Sequence, residues 1–183
     1  MKIAVSTLTK EYGLSERISS ALDARSLVLV VDDEEQRRAE FIRDLYRTYT
    51  NKSGYLPVIV RTPVQGSDVQ LMRLIAVGVG LAPVRTRFAL WRNFQTYCKQ
   101  KYEQGKRMLL IFEDAHLMKG EMLRLLHALS TITIENDLAV QMILIGRNDL
   151  ATKLKHPSHR ALWSRIGARV KLKSDLESLL DST

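Results

Sequence analysis

With 183 residues, 45% of them hydrophobic and 26% charged, the chain has the length and composition of one globular domain that buries its own core. Twenty-eight Lys and Arg against 20 Asp and Glu leave a formal net charge of +8, which favours a polyanionic partner. A single cysteine, Cys98, excludes an internal disulfide, and neither a signal peptide nor a run near the ~20 apolar residues of a membrane span is present, so the expectation is a cytosolic protein without membrane contact.

In chain order, residues 1–25 form a leading segment in which Ser15 to Ala24 reads as a short helix. Ser26 to Val31 is a continuous apolar run without alternation, the pattern of a strand buried on both faces of a parallel sheet. Asp33 with Gln36 spells a capping box, and Ile42, Leu45, Tyr46 and Tyr49 give the following helix one apolar face. Asn51 to Gly54 turns the chain into a second strand, Tyr55 to Val60. Ser67 or Asp68 caps a helix with Val69, Met72, Ile75 and Ala76 inward, closed by Gly78 and Gly80. Thr86 to Glu103 follows as a helix with Phe88, Trp91, Gln95 and Cys98 on one stripe. Met108 to Phe112 is the central strand. Gly120 precedes a helix carrying Met122, Leu125, Leu126 and Leu129, and Ala139 to Ile145 is the next strand, stopping at Gly146-Arg147-Asn148. Short helices over Leu150 to Leu154 and His159 to Arg165, a strand over Ala168 to Leu172, and a remnant helix in residues 174–183 complete the pattern.

Strands alternating with helices imply right-handed crossovers and a three-layer α/β domain with a parallel sheet of about five strands. The central strand ends in adjacent carboxylates, Glu113 and Asp114, where open parallel sheets gather ligand chemistry. His116 follows them and is placed to cap the next element or to hydrogen-bond with the acids. His156 and His159 have a spacing two metal ligands use, but no third ligand is near in sequence, so no metal site is expected.

The run Leu109-Leu-Ile-Phe-Glu-Asp-Ala-His116 resembles the Walker B element of P-loop ATPases, with Glu-Asp in place of the usual Asp-Glu. Together with Met142 to Leu150 and Leu162 to Arg169 it makes the chain similar to AAA+ ATPases. The branch is that of the ExeA secretion ATPases and the TniB, TnsC and Mu B transposition regulators. The resemblance spans about residues 20–173 and implies one P-loop NTPase-like (AAA+ core) domain. It implies that Glu113 and Asp114 are the Mg²⁺- and water-positioning acids, that Arg147 or Asn148 is sensor 1, and that Arg165 is the arginine reaching a neighbouring subunit's γ-phosphate.

The first strand–helix junction departs from that family. A phosphate-binding loop needs Gly-x-x-x-x-Gly-Lys-Ser/Thr, whose backbone N–H groups and lysine cradle phosphates. The chain has Val31-Asp-Asp-Glu-Glu-Gln-Arg-Arg38, and the carboxylates of Asp32, Asp33, Glu34 and Glu35 take the place of the anion at a helix N-terminus. The same acids resemble the pair opening a response-regulator receiver domain, but the strand end Val60-Arg61 lacks the phosphoacceptor Asp. The family's helical lid is expected to be missing as well, since only residues 174–183 follow the last strand.

Between Leu150 and Lys173 stand Lys153, Lys155, Arg160, Arg165, Arg169, Lys171 and Lys173, with no acid. Arg85, Arg87 and Arg92 cluster with Trp91. All of these except Arg165 and Arg92 are candidate phosphate-backbone contacts, with solvated basic faces as the plain alternative. The expectation is therefore a catalytically reduced AAA+-type subunit, an assembly factor on DNA in transposition or mobile-element biology, that associates with itself or a protein partner. No cofactor is expected, or ATP with Mg²⁺ where the family activity is retained. An atypical Mg-ATPase and a protein-binding adaptor are the alternatives.

Overall fold

A computed structural model describes residues 14–24, 27–82 and 84–172. Five parallel strands form its central sheet: β1 (Leu27–Val31), β2 (Tyr55–Arg61), β3 (Arg107–Glu113), β6 (Val140–Gly146) and β7 (Ile166–Lys171). They lie in the order β2-β3-β6-β1-β7. Two short strands, β4 (Thr133–Ile134) and β5 (Asp137–Leu138), make a separate antiparallel hairpin. The hairpin turns through Glu135 and Asn136, both at positive φ, in the manner of a tight primed turn.

The continuous apolar runs have the physical cause expected of them. Successive side chains of a strand face opposite ways, and here both faces are covered. On one face Val28, Val30, Leu109, Ile111, Ile143 and Ile145 pack under α1 (Leu14–Asp23) and α2 (Glu35–Asn51). On the other, Leu27, Leu29, Val31, Leu110 and Phe112 meet α3 (Asp68–Gly78), α4 (Arg87–Glu103) and α5 (Gly120–Leu129). That second face also receives α6 (Asp149–Lys155) and α7 (Arg160–Trp163) through Leu150, Leu154 and Leu162. The expected three-layer parallel α/β architecture is what the chain forms.

Several local expectations change. The capping box at Asp33 does not form: α2 begins after Glu34, which makes no side-chain cap, and Asp33 is drawn elsewhere. Tyr46 is 41% exposed, and Phe41 takes its place on the buried face of α2 beside Ile42, Leu45 and Tyr49. On α4 the inward stripe is Leu90, Phe94 and Cys98, rotated from the expected one, so Phe88 is 72% exposed. Of the two residues expected to cap α3, Ser67 does so, accepting from the Gln70 N–H at 3.2 Å, and Thr86 caps α4 by accepting from the Ala89 N–H at 3.2 Å. Burial pushes the Cys98 thiol up to about 12, as suits an inert core residue. The remnant helix expected in residues 174–183 and Lys173 lie outside the described residues.

Candidate functional site

Strand order places the crevice. From β1 the chain crosses to β2 at one edge, while from β6 it crosses over β1 to β7 at the other. A reversal of this kind opens a cleft at the carboxyl ends of the strands. The segments lining it are Asp32 to Glu34 after β1, Glu113 and Asp114 at the end of β3, and Gly146 to Asn148 after β6. Parallel pairing of Val31 with Gly146 and of Phe112 with Leu144 puts these ends side by side.

The chain's own groups fill the cleft with hydrogen bonds. Asp33 accepts from the Asn148 backbone N–H at 3.0 Å and from its Nδ2 at 2.6 Å. Those two bonds hold the Asp33 carboxyl below its usual range, with the charges of Arg147 and Arg38 adding to them and desolvation opposing. Asp32, only 5% exposed, accepts the Glu34 N–H at 2.8 Å and meets Arg37 Nε at 2.8 Å. Arg37 also pairs with Glu34.

Arg38 is the residue that ties the loop to the central strand. It is 5% exposed, and its Nη1 donates to the Asp32 carbonyl at 2.8 Å while Nη2 donates to Asp114 Oδ1 at 3.2 Å. Counted from Asp32, the phosphate-loop pattern places Arg38 at the lysine and Ala39 at the hydroxyl. The count from Asp32 was the signal available; the return of both guanidiniums to the acids was not visible without the fold.

Asp114 sits at φ 53°, ψ 38°, the left-handed region, and starts a single 3₁₀ turn, Ala115–Leu117. Non-glycine residues held there are uncommon and gather at functional sites. Lys153 donates to the His116 and Met118 carbonyls and so fastens this turn to α6. His116 is half-buried with Nδ1 4.0 Å from Asp114 Oδ1, and desolvation lowers its pKa against the opposing pull of Asp114 and Asp149. Glu113 is half-buried with Arg61 Nε at 3.6 Å.

Of the residues singled out in the sequence, the fold brings Glu113, Asp114, Arg147 and Asn148 to one cleft. Arg165 lies at the opposite, amino end of the sheet, just before β7, donating to the Ser130 carbonyl at 3.1 Å. Lys153 is committed to the carbonyls named above, and Arg87 pairs with Asp68. Lys153 is thereby turned toward the segment after β3, whereas Arg87 keeps most of its side chain in solvent. Arg169 and Lys155 flank Trp163, 4.0 and 5.7 Å from its ring centroid, with exposed Arg160 on the same short helix. Lys171 is exposed at the end of β7, and Arg85 precedes α4 on another part of the surface. His156 turns back to accept from the Ser158 N–H, and among the described residues no group of His, Cys, Asp or Glu is placed to hold a metal ion. Among them, too, no helix is long and apolar enough to cross a membrane.

Residues 40–154 match a family model described as "AAA domain". The match begins within α2, past the acidic loop. No curated protein matches the chain in sequence. Among solved structures, the Aeropyrum pernix ORC1 protein in complex with DNA is similar at TM-score 0.62 and 16% identity, over 92% of this chain and 46% of that one. The A. pernix ORC2 protein, in ADPNP–ADP complexes, gives TM-score 0.63 and 14% identity over 99% and 51%. Drosophila ORC bound to GC-rich DNA and Cdc6 gives 0.66 and 12% over 97% and 30%. At such identities the likeness is one of fold, and the chain spans about half the length of the archaeal structures or less.

Proposed function

The chain belongs to the AAA domain family, and from that premise we propose that it is a catalytically reduced AAA+-type subunit of the transposition-regulator branch. It works on DNA as a binding and assembly factor and does not turn over nucleotide. The observation that carries this reading is the Asp33–Asn148 contact, whose two bonds place a carboxylate on one of the two residues, Arg147 or Asn148, that match the family's phosphate sensor. Arg38, at the lysine position, is likewise occupied by Asp32 and Asp114.

These residues do not fit a triphosphate with Mg²⁺. Asp32, Asp33 and Glu34 add negative charge where a phosphate cradle offers N–H donors, and the Glu34 and Asn148 N–H groups and the Arg37 guanidinium are already bonded to carboxylates. No hydrolytic step is derived through that group. The DNA part of the reading is supported by the net charge of +8 and by the cations around Trp163. The DNA-bound ORC structures that share the fold add to that support.

Titration calorimetry with ATP and Mg²⁺, followed by a hydrolysis assay, tests the nucleotide part. The expected results are no saturable heat and turnover at background. Turnover that disappears in Glu113→Gln or Asp114→Asn establishes instead an active, atypical Mg-ATPase.

A further inference from the structure

Away from the crevice, the first turns of α3 and α4 and one face of α5 line an open cleft of about 710 Å³. Val69, Met72, Trp91 and Leu125 give it apolar walls, and Phe88 stands at its mouth with 72% of its surface in solvent. Asp68, buried at 8% exposure, is neutralised by Arg87. Arg124 lines the rim, exposed Arg92 stacks 5.8 Å from the Phe88 ring, and Glu121 is the remaining acid of the lining. An apolar pocket of this size with a positive rim suits an acidic segment carrying large aliphatic side chains. A phosphate backbone has nothing to place in its apolar interior.

The chain itself contains such a segment. After Lys173 it reads Ser-Asp-Leu-Glu-Ser-Leu-Leu-Asp-Ser-Thr, with three acids, no cation, and Leu176, Leu179 and Leu180 at the spacing of one helical face. We propose that residues 174–183 of one copy dock in the α3–α4–α5 pocket of another. The leucines enter among Val69, Met72 and Trp91, and Glu177 and Asp181 face Arg124 and Arg92.

Geometry selects a second copy over the same one. The segment leaves from β7, the edge strand, through Leu172, which packs in the α1–α2 layer. The pocket lies in the opposite layer, beside β2, β3 and β6. From β7 to β3 is three strand spacings, roughly 14 Å, and the four residues from Leu172 to Leu176 reach at most about 14 Å fully extended. That reach leaves nothing for passing to the other face of the sheet. Each copy then offers a pocket near one edge and a segment at the other, which is a heterologous, head-to-tail contact that closes into a ring or grows as a filament. The contact needs neither nucleotide nor DNA, so its failure leaves the nucleotide and DNA-binding parts of the proposed function untouched.

The test uses a fluorescein-labelled peptide of residues 172–183 and, as receptor, the full chain bearing Leu179→Glu and Leu180→Glu, so that its own segment does not compete. Saturable anisotropy is expected, weakened at least about tenfold by Phe88→Glu or Arg124→Glu in the receptor. A Glu177→Lys peptide is expected to regain affinity for the Arg124→Glu receptor. Phe88 is largely exposed, so an unchanged melting temperature is expected to show that its variant folds. In sedimentation equilibrium the unsubstituted chain should associate with concentration and the Leu179→Glu/Leu180→Glu chain should not. No peptide binding, equal binding to the Phe88→Glu receptor, or undiminished association of the double variant overturns the proposal. Loss of duplex DNA binding in Phe88→Glu, with no peptide binding, overturns it also and assigns the pocket to nucleic acid.

Discussion

Arg38 and Asp114 are each other's principal charged partner in the cleft, with side chains 6% and 19% exposed. Removing one leaves the other partly buried without its counter-charge, which costs more than the pair contributes. Arg38→Ala and Asp114→Ala are each expected to lower unfolding stability by about 1–3 kcal/mol, while the double variant loses less than their sum. Urea denaturation of the four proteins measures this; strict additivity would show that the 3.2 Å contact carries no coupling. His116 supplies the pH dependence at this scale. Burial holds its folded pKa below the ordinary value of 6.5, so the unfolded chain takes the proton first. Its contribution is therefore complete above pH 6.5 and is lost as pH falls through the lowered folded value. His159 shifts in the same direction, first through burial and then through the charge of His156. Melting temperature should fall as pH drops below 6.5, and the slope should flatten in His116→Asn and flatten further when His159→Asn is added. An unchanged slope in both variants would place the acid sensitivity elsewhere.

At the scale of elements, most of the fold was legible because burial on both faces writes itself as uninterrupted apolar runs. Leu27 to Val31, Met108 to Phe112 and Val140 to Ile145 are all of that kind. Amphipathic helices were harder where two faces compete. On α4, Phe88, Trp91, Gln95 and Cys98 fit helical spacing as well as Leu90, Phe94 and Cys98 do, and only the sheet beneath decides between them. The β4–β5 hairpin, two residues per strand, is too short for any periodicity to announce. In the site, the acids at the end of β3 were legible from the abrupt end of the run, whereas Asp33 meets Asn148 across 115 positions of sequence. Gly146 belongs to this scale, because it sets how closely β6 approaches the turn after β3. A Cβ there would lie 2.9 Å from the His116 backbone nitrogen and 3.0 Å from Leu150 Cδ2. Backbone cannot yield as a flexible side chain does, so Gly146→Ala should cost about 1–3 kcal/mol and loosen the 3₁₀ turn and α6 together. Amide exchange at Leu117, Met118 and Leu150 would rise with it; a variant as stable and as protected as the parent would mean that the turn relaxes freely.

For the whole molecule the governing quantity is charge, and the fold decides which cations face outward. Sequence alone placed Lys153 with Lys155 and Arg160, yet Lys153 is drawn inward to the His116 and Met118 carbonyls. Among the exposed cations, which include Lys171 and Arg85, the three on or beside the short helix of Trp163, Lys155, Arg160 and Arg169, are proposed to meet a phosphate backbone. Contacts of this kind release counterions and carry no base information, so affinity should fall steeply with salt and differ little between unrelated duplexes. Replacing all three by Ala should flatten the logarithmic salt slope by roughly three units. Lys153→Ala should leave that slope unaltered and lower stability, since it removes a donor to two carbonyls at a buried turn. Trp163 stands under two of these cations, so Trp163→Ala should weaken binding by disordering them while changing the slope less than the triple variant does. Fluorescence anisotropy on two duplexes at four salt concentrations distinguishes these outcomes. If the triple variant keeps the parent's slope, the charge around Trp163 is a solvated face and DNA is held elsewhere or not at all.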